Sequence, residues 1–181
     1  EKLLNDLYAG QSSKFELVRE SYMMQPSFAT MEKVFPLVIG DKGNTLASIS
    51  TLYDNRIAAY GYDILAGYDP ANTVQTVSVR PSQTAHRTVF KRVVAWLVTG
   101  NPMTDWSSRS ANALNVAWSS LPTSSTVLYP NSKGIKVNRP HASAGMTALG
   151  IPFNSLSCDP LSDPVKDCAA KAQLVVVGAI D

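Results

Sequence analysis

The sequence is poor in charged residues and in the motifs that usually reveal an enzyme's chemistry. Charged residues make up 17% of the 181 residues and the formal net charge is +2, so we expect no nucleic-acid partner. No apolar run reaches the roughly 20 residues that a membrane-spanning helix needs, which predicts no membrane span. A G-x-S-x-G elbow, a Walker A loop, a G-x-G-x-x-G loop and a His-Glu-x-x-His helix are all absent. These absences argue against the common hydrolase, nucleotide-binding and zinc-peptidase signatures.

Histidine and cysteine are scarce, with two of each. The nine residues between Cys158 and Cys168 exceed the usual spacing in zinc sites, and neither cysteine follows a strand-to-helix elbow. We therefore predict no metal ligands here. His86 falls on the polar side of a predicted helix and is expected to be solvated. His141 lies in a predicted loop, where functional groups are commoner, so it is a candidate catalytic residue.

The two cysteines leave two alternatives. A disulfide between Cys158 and Cys168 would close a loop containing Pro160 and Pro164 and would stabilise the fold by about 2–3 kcal/mol in the chain-entropy model. Two reduced thiols would be typical of a cytosolic protein. The low charge and the many Ser, Thr and Asn residues favour an exported protein, and hence the disulfide.

The stretch SQTAHRTVFKRVVAWLVTG predicts an amphipathic helix from Ser82 to Gly100. Ser82 is the expected N-cap, and Gly100 the residue at which the helix ends. Apolar residues recur at spacings of three and four and should pack against a sheet. They are Ala85, Val89, Phe90, Val93, Val94, Trp96 and Leu97.

The rest of the chain predicts an α/β fold. Residues 1–35 form a helical N-terminal segment, with a first helix that stops at Gly10 and a second around Phe15 to Tyr22. Residues 36–181 form the α/β domain. It starts with a β-hairpin whose turn is Asp54-Asn55, because apolar residues alternate on both sides of that pair.

The second half of the α/β domain predicts further strands over 115–121, 152–156 and 173–180, with helices over 143–149 and 164–171. The last strand is apolar throughout and is expected to be an interior parallel strand covered on both faces. The chain starts at Glu1 without a signal peptide and stops one residue after that strand. We therefore expect a processed piece whose domain is truncated, or completed by a further segment.

Aromatic residues are the remaining candidates for ligand binding. Tyr60, Tyr62, Tyr68 and Trp106 could form a stacking platform for a sugar or a peptide, with contributions from Trp118 and Tyr129. Core packing of most of these rings is the alternative, and Trp118, like Trp96, is expected to belong to the core. Tyr68 and Trp106 lie in predicted polar loops and are the candidates of greatest interest.

Three stretches, NTLASISTLYDNRIAAYGYDIL, KRVVAWLVTG and QLVVVGAID, carry a resemblance to a known family. Across residues 37–181 the chain resembles the N-terminal accessory region of large secreted bacterial zinc metallopeptidases, a group with members that act on O-glycosylated host proteins. The resemblance implies a Rossmann-like, amidotransferase-like sheet. It also implies a secreted or cell-surface location, and zinc and catalytic residues only in another domain.

Three functions follow as hypotheses. The first is a non-catalytic accessory domain of an exported metalloprotease, which acts as a scaffold or binds glycoprotein; its partners are other domains of the parent protein and O-glycosylated proteins. The second is a hydrolase or amidotransferase-like enzyme that uses His141. The third is a purely structural assembly domain.

Overall fold

A computed structural model of the chain describes residues 1–13, 33–52, 54–60, 81–106, 113–119, 146–147, 149–160 and 163–177. The chain forms two compact units. The first comprises Glu1–Ile64 with Val77–Thr104, and the second comprises Leu65–Thr76 with Asp105–Asp181. This division differs from the predicted boundary between residues 35 and 36, because a strand of the first unit runs across that position.

The first unit contains a three-stranded antiparallel sheet in the order β1-β2-β3. The strands are β1 (Lys33–Ile39), β2 (Thr45–Leu52) and β3 (Asn55–Tyr60). The predicted β2–β3 hairpin is confirmed, but its turn is shifted by one residue. Leu52 pairs with Asn55, so Asn55 already belongs to β3. Asp54 takes the positive φ of 64° that the tight connection requires.

Two helices, α1 (Lys2–Tyr8) and α2 (Pro81–Thr99), belong to the same unit. The structure confirms that α2 ends before Gly100, which has a φ of 78° and donates its N–H to the Trp96 carbonyl at 2.8 Å. The predicted N-cap is wrong. The helix already includes Pro81, which suits a first helical position, so Ser82 lies within the first turn.

The apolar face of α2 is buried as predicted, and it contributes to the core of the first unit together with β1, β2 and α1. The core residues are Leu7, Leu37, Val38, Leu46, Ala47, Ile49, Val89, Val93 and Trp96. This one cluster explains why a short sheet and two helices form a unit, since burial of apolar surface is the main stabilising term.

The end of α2 is held by an arginine from the sheet. Arg56 Nε donates to the Leu97 carbonyl at 3.1 Å. A Cβ at Gly100 would lie 3.3 Å from Arg56 Nη1. The guanidinium thus satisfies a terminal carbonyl and places a positive charge at the negative end of the helix dipole.

We expect Gly100→Ala to lower the free energy of unfolding by about 1–2 kcal/mol, because alanine is strained at positive φ and its Cβ would displace Arg56. Gly43→Ala is the matched control, since Gly43 also has a φ of 78° but nothing lies within 4 Å of its Cβ position. Urea denaturation of both variants measures the difference. Equal losses would show that the contact with Arg56 adds nothing to the backbone strain.

The short helix α1 depends on contacts with the rest of the unit. Arg92 Nη1 donates to the carbonyls of Leu7 at 3.0 Å and Ala9 at 2.7 Å. The Tyr8 hydroxyl donates to the Leu37 carbonyl at 2.7 Å, and burial raises the pKa of this hydroxyl. A helix of seven residues is too short to be stable alone, so these contacts and the burial of Leu7 maintain it.

The second unit contains a three-stranded parallel sheet in the order β5-β4-β6. The strands are β4 (Leu114–Ser119), β5 (Phe153–Ser155) and β6 (Leu174–Val177). All three were predicted, but the interior position belongs to β4. Within the described part of the chain β6 is an edge strand, and Val175 is 42% exposed. The prediction that the last strand is covered on both faces is therefore wrong.

The predicted helix over 164–171 is also wrong. Turns are followed by a 3₁₀ helix, Ala169–Lys171, because Cys168 has a φ of −123° that no helix accommodates. Met146 and Thr147 are helical as expected. The structure thus confirms a mixed α/β protein with an antiparallel hairpin and a short N-terminal helix. No helix in the ranges described above has the length and apolarity to cross a bilayer.

Candidate functional site

Five residues were predicted to bind a ligand, and the structure describes two of them. Tyr62, Tyr68 and His141 lie outside the described residues, so their roles stay predictions. Tyr60 belongs to the first unit and Trp106 to the second. The structure does not bring these two rings together in one unit.

Tyr60 ends β3, where it pairs with Ala47 of β2. Its ring meets the ring of Phe90 edge to face, with centroids 5.7 Å apart and an interplanar angle of 67°. An edge-to-face pair of this kind stabilises packing by about 0.5–1.5 kcal/mol beyond burial alone. Tyr60 therefore joins β3 to α2, and a sugar stacked on this ring would compete with that contact.

Trp106 is only 4% exposed. The loop before it is polar in sequence, but its polar groups bond to one another. Thr99 Oγ1 lies 2.8 Å from Thr104 Oγ1, and the Met103 N–H donates to Asn101 Oδ1 at 2.9 Å. A polar loop can therefore end in a buried indole, which supports core packing over a surface platform for this residue.

Trp118 and Leu114 of β4 belong to the core of the second unit. Trp118 Nε1 donates to Ser155 Oγ at 3.0 Å, and its ring meets Phe153 edge to face at 5.6 Å. The indole therefore connects β4 to β5 as well as filling the core. The expectation that Trp96 and Trp118 are core residues is confirmed.

The structure pairs Cys158 with Cys168, with their Cα atoms 5.5 Å apart. Cys168 is fully buried. The Asp159 N–H donates to Asp163 Oδ2 at 2.8 Å, and the Asp163 N–H donates to the Asp159 carbonyl at 2.9 Å. The disulfide prediction is confirmed over the reduced alternative. The bond closes a loop within the segment that connects β5 to β6.

Potential metal ligands do not cluster in the described ranges, where no group of three His, Cys, Asp or Glu side chains could hold an ion.

His86 differs from its prediction. It is largely withdrawn from solvent, and this burial lowers the pKa of the imidazole to about 4. The sequence around His86 does indicate this burial. Val89, Phe90 and Val93 follow His86 at helical spacings of three, four and seven, and all three are buried. The histidine therefore lies at the border of the apolar stripe and not on the opposite side of α2.

This histidine predicts an acid-sensitive fold. Its folded pKa is about 4, below the ordinary 6.5, so the unfolded chain binds more protons between these values. The free energy of unfolding therefore has its full value above pH 6.5 and falls as the pH drops towards 4. We expect the titration of His86 to lower the free energy of unfolding by about 2 kcal/mol between pH 7 and pH 5.

The measurement is urea denaturation at both pH values for the wild type and for His86→Gln, whose amide stays neutral. The wild type should lose about 2 kcal/mol more than the variant between the two pH values. The comparison removes the contribution of other titrating groups. The same acid sensitivity in both proteins would contradict the assignment to His86.

Large apolar side chains remain at the surface in both units. Phe35 is 40% exposed and Ile39 is 60% exposed, and both belong to β1. The others among the described residues are Met103, Val165 and Val175. Surface of this kind is available for contacts with another protein or domain.

Together these features define a disulfide-containing, mixed α/β protein whose described tryptophans pack in its cores. Residues 3–120 match the family described as the immunomodulating metalloprotease N-terminal domain. The chain belongs to this family. The predicted resemblance to the N-terminal region of a bacterial metallopeptidase is confirmed.

In similar proteins the matching region is a small part of a longer chain. Over 177 residues the chain is 27% identical to the immunomodulating metalloprotease of Pseudomonas aeruginosa. The matched region is 98% of this chain but only 15% of that relative. It also matches a solved structure of the IMPa metallopeptidase in complex with T-antigen, with a TM-score of 0.62 and 26% identity over 98% of this chain and 16% of the other. A structure of IMPa from Pseudomonas aeruginosa with an O-glycopeptide gives a TM-score of 0.61 and 25% identity, over 98% and 17% of the two chains.

Proposed function

We propose that this chain is a non-catalytic accessory domain of an exported zinc metalloprotease and that its main role is to serve as a scaffold for the other domains. The observation that carries the proposal is membership of a metalloprotease N-terminal domain family, combined with a match to only 15% of a relative's length. Zinc and the catalytic residues would then belong to another part of the parent protein. The disulfide supports export, because such bonds persist in oxidising compartments.

Glycoprotein binding is the second candidate, and it is favoured by two relatives' structures, one in complex with T-antigen and the other with an O-glycopeptide. Sugar platforms need an exposed aromatic face. Trp106 is buried, and the Tyr60 ring packs against Phe90. Most of the large exposed apolar side chains described are aliphatic. For the two candidate rings that the structure describes, these observations support scaffolding more than glycan binding.

The strand order in the second unit supports the prediction of a Rossmann-like sheet. Its order β5-β4-β6 places the first described parallel strand between the two that follow it. Doubly wound sheets of the flavodoxin type begin in this way, with strand order 2-1-3. We propose that this unit is a half of the Rossmann-like, amidotransferase-like kind.

A direct experiment compares this chain with the complete parent protein on an O-glycosylated mucin, before and after enzymatic removal of the glycans. We expect proteolysis and bound zinc only in the complete protein, and no glycan-dependent binding by this chain. Glycan-dependent binding would instead support the second candidate. Hydrolysis by this chain that His141→Ala abolishes would overturn the accessory role and support the enzyme hypothesis.

A further inference from the structure

The outer edge of β6 is open in the described part of the chain. In the order β5-β4-β6, β4 pairs with one side of β6 and no described strand pairs with the other. The sequence of β6, LVVV, contains neither proline nor charge, and its four pairs with β4 follow one another without a shift. A regular, apolar edge of this kind presents backbone N–H and C=O groups that can pair with another strand.

The other sheet edges differ from β6, because each carries a feature that hinders pairing. β1 contains Pro36, which has no N–H, and its register shifts between Pro36 and Val38. β3 packs against α2, where the rings of Tyr60 and Phe90 meet. β5 has only three residues. Prolines, bulges, short strands and a covering helix are the usual protection of a sheet edge, and the described part of β6 has none of them.

One face of the same sheet is covered over β4 but not over β6. Val175 pairs with Ala117, so the two side chains lie on the same face of the sheet. Ala117 is fully buried, whereas Val175 is 42% exposed. Parallel sheets are normally covered on both faces. β6 therefore lacks a strand at its outer edge and also a layer over Val175.

We propose that the outer edge of β6 pairs in parallel with the next strand of the parent protein, which a right-handed helical crossover connects to β6. The family is described as an N-terminal domain, so further chain follows it in the parent. Consecutive strands usually lie side by side, and the inner side of β6 is already occupied by β4. The outer edge is therefore the place for the next strand, and the sheet order becomes the 2-1-3-4 of a doubly wound fold.

The crossover explains the exposed face as well as the open edge. Two parallel neighbours need a connection of a dozen residues or more, which is usually a helix, and this helix can cover Val175. A second copy of this chain that paired at β6 would add a strand but no such helix. Its contact along a four-residue strand would also be far smaller than the roughly 800 Å² on each partner that a stable complex buries.

The test uses the complete parent protein, with a photo-cross-linking amino acid in place of Val175 and, in a matched control, in place of Val165. Val165 is 69% exposed and lies in the disulfide loop, outside the strands. After irradiation, mass spectrometry identifies the joined peptides. We expect position 175 to join, within one molecule, a segment that lies within about 50 residues after β6, as a βαβ unit requires. Position 165 should not join that segment.

A substitution provides a second readout that needs no cross-link. Val175→Lys places a charge under the proposed helix and beside the proposed strand, where it is costly to bury. In the parent protein it should accelerate hydrogen exchange in β6 and in the joined segment by about tenfold or more. Val165→Lys, at an exposed position, should leave both segments unchanged.

Cross-links from position 175 only to a second copy, or only to residues of this region, would overturn the proposal. Unchanged hydrogen exchange in Val175→Lys would do the same, because a free edge tolerates lysine. The proposal rests on the accessory role and the Rossmann-like sheet proposed above, but the accessory role fails differently. Its loss would appear as hydrolysis by this chain alone, whereas loss of the strand pairing would appear only in the cross-links and the hydrogen exchange.

Discussion

Leu7→Ala is expected to lower the free energy of unfolding of the first unit by about 3–4 kcal/mol. Leu7 is fully buried and is among the largest fully buried side chains described. Its removal would leave a cavity where α1 meets the core. Because α1 is only seven residues long, the loss of its main buried side chain should also release the helix from the unit.

Asn5→Ala is the matched control, because Asn5 lies on the same helix and is exposed. Urea denaturation should show a large shift for Leu7→Ala and almost none for Asn5→Ala. Native-state hydrogen exchange should show loss of protection in α1 before the unit unfolds. A loss below about 1 kcal/mol for Leu7→Ala would mean that the core closes around the missing side chain.

Removal of the Cys158–Cys168 disulfide is expected to lower the stability of the second unit by about 3 kcal/mol. The cysteines are ten positions apart, so the bond restrains a short loop of the unfolded chain. The double variant Cys158→Ala/Cys168→Ala also loses packing, because Cys168 is fully buried. Thermal unfolding of the variant, followed by hydrogen exchange in β4 and β6, measures the effect.

A reducing agent provides an independent control for the disulfide. It should lower the melting temperature of the wild type towards that of the double variant and leave the variant unchanged. The indole of Trp118, which bonds to Ser155, gives a fluorescence signal within the same unit. If reduction and the double substitution both left the melting temperature unchanged, the bond would not restrain the unfolded chain.

Much of the fold could be predicted because local patterns were strong. The apolar stripe on α2, from Ala85 to Leu97, predicts the helix and its buried face, with errors at the N-cap and at His86. The β2–β3 hairpin follows from alternation around Asp54. The position of the turn cannot be predicted in this way, since Asp54 and Asn55 both suit a turn. Only the pairing of Leu52 with Asn55 shows that Asn55 belongs to the strand.

Features that depend on distant parts of the chain could not be predicted in the same way. The apolar sequence of β6 suits an interior strand, but strand order depends on which segments pair, and β4 takes that position. Trp106 follows a polar loop, so the sequence around it does not predict that it is buried. A ligand-binding surface could not be predicted for the same reason, since it is formed by side chains that are far apart in sequence.

The alternation of the two units along the chain has a consequence for how this protein can be shortened. The polypeptide passes from one unit to the other three times, after Ile64, Thr76 and Thr104. A protein that stops at residue 104 would carry a stretch of the second unit without the remainder of that unit. No single cut separates the two units completely, because a cut after Thr104 leaves the first unit whole but takes residues 65–76 away from the second. Domain swaps between relatives would have to exchange both units together.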